Sequence, residues 1–466
     1  MIAITYTDVI NLSDQPKAKI IAVMVNWNGK AYLQASIASV LTELAVYGGK
    51  LLLVDNASTD GSVEFVLQNF PNVTILQTGE NLGGAGGFSA GMRAALQCKE
   101  CWFIWLLDND IVVEPNALAP LLDCLKTTSH AGAAGSQICL YDKPDTIQEI
   151  GARLTPWLGG LQQCFSGQRR LPSSEAAFEV DYLAACSILI RRSCLEQTGV
   201  FGDFFIFYDD VEWGLRTKRE GWSLWGVPAS VIRHQYSATK PIIAWREYYR
   251  KRNRLALLAV YSPRNGGVFA SLIYLLYLNY IIYFHKWHSY LDLYYAYLWA
   301  RDDALIGRMG KRDLSSLSSA PVKVNVECLA DFDEILLDIG EYPGEALILM
   351  EAIRQSKPNT IFYIPKYLDH YLKFINIQNI YLLDQHQYSA VILGKNYKLK
   401  SATSALTVFC YNDGNLIRIS KINLLKDVAI RFFALLIAFT LTPAHWITLI
   451  FKFKRTQSFK KNFNSK

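Results

Sequence analysis

Apolar positions in the first 110 residues follow two alternating patterns. Four short runs, IIAVMV within 20–29, KLLLVDN at 50–56, VTILQ at 73–77 and WFIWLL at 102–107, are too short for helices. They are rich in β-branched or aromatic side chains, which predicts buried strands. Residues 30–46, the stretch after Gly61 and the stretch up to about Cys98 carry helical spacing instead. Four strand–helix alternations predict an α/β fold with a mostly parallel sheet and right-handed crossovers. The predicted strands stop at polar residues: Asn26 and Asn28, Asp55 and Asn56, Asp108 and Asp110. Ligands of such sheets bind outside the carboxyl ends of the strands, so separate segments converge on one predicted site.

The pattern then changes. Residues 130–200 read as β-rich and irregular, a helix is predicted from Asp209, and a strand and turn at 222–236 carry His234. A basic, aromatic helix, WREYYRKRNRLALL, falls within 245–260, and residues 265–285 contain no formally charged side chain. An amphipathic stretch follows at 286–301, then a linker at 315–320 and a second α/β alternation over 322–420. The 20 residues from 432 to 451 lack Asp, Glu, Lys and Arg, enough to cross a bilayer core of roughly 30 Å as a helix. A helix or hairpin lying in the interface is the other reading, given Pro443 and His445. The expected organisation is an N-terminal extension (1–17), an α/β domain (18–260), an aromatic-rich helical region open to membrane contact (261–314), a small α/β domain (315–425), and a hydrophobic segment with a basic tail (426–466).

Charge sharpens this picture. The chain of 466 residues has 47 Lys+Arg against 41 Asp+Glu, a net charge of +6. Six of the positives, and no acid, lie in the last 15 residues, so the preceding chain is balanced. A nucleic-acid-binding body is excluded on that ground, and the tail reads as a contact with anionic lipid beside the apolar segment. Nine irregularly spaced cysteines, with a lone Cys98-x-x-Cys101, complete no zinc or redox motif. The first apolar stretch is interrupted by Asp8 and preceded by no basic segment, so no secretory signal is expected and a cytoplasmic setting is.

The candidate chemistry sits at the strand ends. Asp108-x-Asp110 can hold a hard divalent ion, Mn²⁺ or Mg²⁺, of the kind that pairs with diphosphates. The segment Asn81-Leu82-Gly83-Gly84-Ala85-Gly86-Gly87-Phe88 lets a backbone approach a phosphate closely, without matching a Walker loop or a dinucleotide fingerprint. Asp209, Asp210 and Glu212 cluster at a helix start, where mutual repulsion raises a carboxylate pKa and suits it to take a proton from an alcohol. His234 is a credible third metal ligand beside the two aspartates.

These motifs carry a resemblance. VNWNG (25–29), VDNASTDGS (54–62), ENLGGAGGF (80–88), LLDNDI (106–111), YDDVEWGLR (208–216) and the late His234 resemble glycosyltransferase family 2, with its GT-A fold, over roughly residues 18–260. The glycine-rich segment is similar to that of the galactofuranosyltransferase branch. The resemblance implies inverting transfer from a nucleotide-activated sugar, UDP-galactofuranose first and dTDP-rhamnose as the alternative, to a glycan or lipid-linked glycan at the cytoplasmic face of the inner membrane. It places Asn26, Asn28, Asp55, Asn56, Asn81, Gly83, Gly84, Gly86, Gly87 and Asn109 on the donor. It makes Asp108, Asp110 and His234 the metal ligands and Asp210 the base, with Asp209 and Glu212 shaping the acceptor side. The family's usual Glu-Asp pair is Asp209-Asp210 here. A reading of another class is an inactive, membrane-bound assembly protein that keeps the nucleotide fold.

Overall fold

The structure is a computed structural model. It describes residues 19–154, 160–235, 243–261, 267–287, 291–317 and 421–455, together with strands and short pieces between 334 and 418. The N-terminal extension, the basic tail after 455 and the helices expected near 344–356 and 366–375 lie outside, or largely outside, the described residues.

The predicted strands form in place: β1 (Ile20–Asn26), β2 (Lys50–Asp55), β3 (Thr74–Gln77) and β4 (Phe103–Asp108), with α1 (Lys30–Val46), α2 (Ser62–Asn69) and α3 (Gly83–Gln97) between them. The chain continues through β5 (Ile111–Val113), α4 (Leu118–Thr127), β6 (Ala131–Leu140), β7 (Ile147–Glu149), β8 (Ala152–Leu154), β9 (Leu161–Gln163), β10 (Phe178–Val180), β11 (Ser187–Arg191), α5 (Arg192–Thr198), α6 (Asp209–Arg219) and β12 (Ser223–His234). The main sheet runs β10-β12-β6-β11-β4-β1-β2-β3, with β5 beside β12 and β7 beside β6. Strands β1 to β4 are mutually parallel, and β11 is antiparallel to both neighbours.

Because side chains alternate along a strand, the consecutive apolar runs feed two cores at once. Ile20, Ala22 and Met24 face the layer containing Leu33, Ile37 and Val40 of α1. Ile21 and Val23 face Phe88 and Met92 of α3, together with Trp213 of α6. Each fully buried Leu, Ile or Met is worth about 1.5–3 kcal/mol, so the two layers pin the strand register. Strand β12 departs from regular pairing. Val227 faces Ser136 of β6, and the next pair is Val231 with Gln137. The looped-out residues are held by a Ser136–Ser230 hydroxyl contact of 2.8 Å and a Gln137 Nε2 donation to Pro228 O at 2.8 Å.

After the sheet come α7 (Ala244–Tyr261), α8 (Gly267–Trp287) and α9 (Leu291–Ile306). A second sheet of β13 (Glu334–Asp338), β14 (Ile361–Ile364), β15 (Ile380–Leu382), β16 (Ala390–Leu393), β17 (Thr407–Asn412) and β18 (Asn415–Arg418) has the order β15-β14-β13-β16-β17-β18. Five of its strands are parallel and β18 is antiparallel, a doubly wound order. The chain then forms one long helix, α10 (Lys421–Arg455), which continues through Pro443.

From Gly267 on, the uncharged stretch expected at 265–285 belongs to α8, much of whose apolar surface is taken up by helix packing. Asn279 Nδ2 donates to Thr442 Oγ1 of α10 at 3.0 Å, and Trp446 Nε1 to Ser271 Oγ at 3.2 Å. Among the described side chains of α10, Ala434, Ala438, Thr442 and Leu449 are buried; Phe432, Phe433, Leu436, Phe439 and Ile447 are at least half exposed. The span Ala429–Leu449 is long and apolar enough to cross a membrane.

Candidate active site

The parallel register puts Asn26 beside Asp55, and Val25 beside Asp108, at one edge of the sheet. Asn26 is fully buried and joins three loops. Its Nδ2 donates to Asp55 Oδ1 at 3.3 Å and Ser58 Oγ at 3.0 Å, and its Oδ1 accepts from Asn109 Nδ2 at 2.6 Å. Asp55 Oδ2 accepts the Ser58 amide at 3.1 Å. Asn28 adopts a left-handed backbone, and its Oδ1 accepts the Thr59 amide at 2.7 Å. Asn56 holds the glycine-rich segment: Nδ2 donates to Gly83 O at 2.9 Å, and Oδ1 accepts the Leu82 amide at 3.0 Å. Asn81 Oδ1 accepts the Gly83 amide at 2.8 Å.

The glycine-rich segment is helical from Gly83, where Asn56 and Asn81 satisfy the entering backbone. Gly83 has φ +71° and sits where a Cβ would meet Phe205 O at 2.0 Å. Gly87 packs on Val25, Gly86 on Leu82, and Gly84 faces open space.

The strand β5 turns back from Asp110 and pairs with the end of β12, so that Ile111 lies opposite His234. This brings Asp108, Asp110 and His234 together, with one ligand atom of each within 4.8 Å of the others. His234 Nε2 is 3.2 Å from Asp110 Oδ1, while its Nδ1 donates to Gln148 Oε1 at 2.9 Å. The Gln148 contact fixes the ring so that Nε2 joins the two carboxylates, an arrangement typical of a histidine ligand. Two carboxylate oxygens and an imidazole nitrogen fit Mn²⁺, and with added water or phosphate oxygens Mg²⁺.

Across the same edge, α6 begins with Asp209 and Asp210. Ala185 N donates to Asp210 Oδ2 at 3.3 Å and Val211 N to Oδ1 at 2.8 Å. Burial, opposed by these amides, pushes the Asp210 carboxyl up to about 6, although it keeps some solvent access. Burial and then the charge of Asp210 raise Asp209 well above the carboxylate range. Glu149 is buried beside them; burial and then Asp210 push it up to about 7. Cys186 lies among these groups. Burial first, then the charges of Asp108, Glu149, Asp110 and Asp210, hold its thiol neutral. Glu212 is held otherwise: Arg216 Nε and Nη2 reach its Oε1 and Oε2 at 3.0 and 2.9 Å, and Tyr261 OH donates to Oε1 at 2.5 Å.

Sequence reasoning passed over Gln148 and Glu149. They lie on a three-residue strand in the irregular 130–200 region, where no periodicity marks them. The adjacent Gln-Glu pair ending an apolar position was the available signal. Cys98 and Cys101 are both buried, and burial pushes the Cys101 thiol up to about 12.

A mostly parallel sheet carrying an Asp-x-Asp turn, a histidine and a buried carboxylate pair at its carboxyl edge defines a GT-A-type sugar-nucleotide transferase. The chain belongs to glycosyltransferase family 2, whose model, described as "Glycosyltransferase like family 2", matches residues 16–256. It is 31% identical over 242 residues to the N-acetylglucosaminyl-diphospho-decaprenol L-rhamnosyltransferase of Mycobacterium tuberculosis, covering 47% of this chain and 76% of that one. It is 33% identical over 208 residues to galactofuranosyltransferase GlfT1 of Mycolicibacterium smegmatis, covering 43% and 65%. Galactofuranosyltransferase GlfT2 of Mycobacterium tuberculosis is 26% identical over 196 residues, covering 39% and 31%.

Proposed function

We propose that this glycosyltransferase moves galactofuranose from UDP-galactofuranose, with inversion, to a hydroxyl of a lipid-linked or growing surface glycan. The observation that carries the reading is the pairing, at one sheet edge, of a three-residue metal set with a buried carboxylate couple of raised pKa. The first suits a diphosphate leaving group and the second an acceptor alcohol. The glycine-rich segment and the GlfT relatives support the donor. A second reading, rhamnosyl transfer from dTDP-rhamnose, is favoured by the greater coverage of the rhamnosyltransferase relative.

Asp55, Asn56 and Asn28 form the nucleoside wall, Asn26 and Asn109 brace it, and the first turn of α3, with Gly84 open beside Gly83, Gly86 and Gly87, faces the donor. Asp108, Asp110 and His234 would hold Mn²⁺ or Mg²⁺, which when bound neutralises the departing diphosphate. Asp210 takes the proton of the attacking hydroxyl at a carboxylate oxygen, and Asp209, sharing charge with it, keeps that oxygen basic. Glu212 supports the start of α6 through Arg216 and Tyr261. Direct displacement with a single base leaves the anomeric centre inverted, and no covalent enzyme intermediate is needed.

Between Ala429 and Leu449 the exposed residues of α10 are largely apolar, Phe432, Phe433, Leu436, Phe439 and Ile447 among them, and Lys452, Lys454 and Arg455 follow that span in the sequence. This supports seating on the cytoplasmic face of the inner membrane, where anionic lipid attracts each basic side chain by roughly 1 kcal/mol. Donor turnover is tested with UDP- and dTDP-sugars in Mn²⁺. Turnover of UDP-galactofuranose that is lost in EDTA and in Asp210→Asn is expected. Preference for dTDP-rhamnose selects the second reading, and no turnover of any donor overturns transfer in favour of an inactive assembly protein.

A further inference from the structure

The segment 203–208 leads directly into the carboxylate pair and is unusually strained. Phe205, Phe207 and Tyr208 all have left-handed backbones, with φ of 66°, 64° and 68°. Such a conformation is unfavourable for a residue with a side chain unless its surroundings fix it. Here they are fixed from the helical side. Asn253 of α7, fully buried, aims Nδ2 at three carbonyls: Phe204 O at 3.2 Å, Ile206 O at 2.8 Å and Phe207 O at 2.9 Å.

Its neighbour Arg252, also fully buried, donates from Nη2 to Phe204 O at 3.0 Å and from Nη1 to Gly310 O at 2.7 Å. Arg252 Nε donates to Asn253 Oδ1 at 2.9 Å, which orients that amide. Gly310 N in turn donates to Asp203 O at 2.7 Å. Among the described residues Arg252 makes no ion pair with a carboxylate. Burying a guanidinium is costly unless its donors are satisfied, so its use on main-chain carbonyls marks the segment it holds. On its far side the segment meets the donor loop: Phe205 O accepts the Ala85 amide at 3.1 Å, against the Gly83 backbone that has no room for a side chain.

We propose that Arg252 and Asn253 are positioning residues that clamp the segment 203–208, and through it set Asp210 for the acceptor and the first turn of α3 for the donor. The inference rests on the transfer reading for its kinetics, but not for its structural readout. It makes the helical region after the sheet domain part of the catalytic geometry as well as a lipid-facing module.

The test compares full-length wild type, Asn253→Asp and Arg252→Lys by hydrogen exchange and steady-state kinetics. Asn253→Asp keeps the shape but turns an oxygen toward three carbonyl oxygens. Faster exchange is expected in peptides 203–209 and 83–88, at least tenfold, with β1 and β4 unchanged. A fall in kcat of about 10²-fold, as for a reacting group misplaced by about 1 Å, should accompany a higher donor KM and a displaced acid limb. A purely structural loss lowers the active fraction and leaves KM and the acid limb in place, which overturns the proposal. Arg252→Lys keeps the charge with fewer donors, and intermediate values are expected. Should Asn253→Asp expose β1 and β4 as well, Arg252→Lys decides, and wild-type exchange with wild-type kcat in that variant refutes the clamp. A wild type that transfers no sugar refutes the transfer reading alone, and exchange in 203–209 and 83–88 then decides the clamp: unchanged exchange in the variants refutes it.

Discussion

Asp210 is placed at a cost that can be measured. Its carboxyl has a folded pKa of about 6 against an ordinary 3.8, a gap of about two units. At 1.36 kcal/mol per unit that is ~3 kcal/mol, reduced to ~2 by the partial solvent access of the group. The folded pKa is raised, so the folded state binds the proton more tightly. The resulting stability is fully present below about pH 4 and lost as pH rises through about 6. Asp210→Asn removes this titration and also relieves Asp209 of its charged neighbour. The variant should therefore be ~2–3 kcal/mol more stable than wild type at pH 8 and nearly equal to it at pH 4, while turnover falls by roughly 10²–10⁴ through loss of the base. Metal-free protein is unfolded in urea at both pH values and followed through Trp105 and Trp213, both buried in the sheet domain. Equal stability at pH 8, or a difference as large at pH 4 as at pH 8, refutes the reasoning.

Other consequences are open to simpler tests. Gln148→Leu frees the His234 ring and should weaken Mn²⁺ binding by about 10–100-fold in a titration, with the three ligands intact. Gly83→Ala places a Cβ against Phe205 O at a positive φ and should cost ~2 kcal/mol or more by urea denaturation, with a raised donor KM; a neutral outcome contradicts the packing of α3 on the 203–208 segment. Replacing the exposed Phe432, Phe433 and Phe439 together by Ser should abolish flotation with anionic vesicles at an unchanged unfolding temperature, and unchanged flotation removes lipid from the reading of α10.

Much of this was legible because local pattern and function coincide at strand ends. IIAVMVN, KLLLVD and WFIWLLD each announce a strand and then its polar terminus. The second α/β alternation over 322–420 was legible in the same way, and a six-stranded sheet lies there. The position of β11 was not, since its apolar run says strand but not that it would lie antiparallel between β4 and β6. Gln148 and Glu149 were hidden by the shortness of β7. Arg252 and Asn253 were not singled out for a physical reason: charges on a basic helix are normally solvated, and burial of Arg252 follows from carbonyls supplied by Phe204 and Gly310. The glycine-rich segment lies beside Asn56 at the sheet edge, but Gly83 and Gly87 meet protein where the sequence suggested ligand.

The irregularity in β12 has a consequence for chain length. Between the pairs Val227–Ser136 and Val231–Gln137, β12 spends three more residues than β6. Side chains on a strand alternate with a period of two, so an odd excess changes which face every later residue presents. The bulge thus works as a parity setting for His234. Removing one of Pro228, Ala229 or Ser230 would change no ligand, yet it would turn the imidazole to the opposite face of the sheet, away from Asp108 and Asp110. At this site, the count of residues between Val227 and Val231 matters as much to the grouping of Asp108, Asp110 and His234 as the identities of those residues.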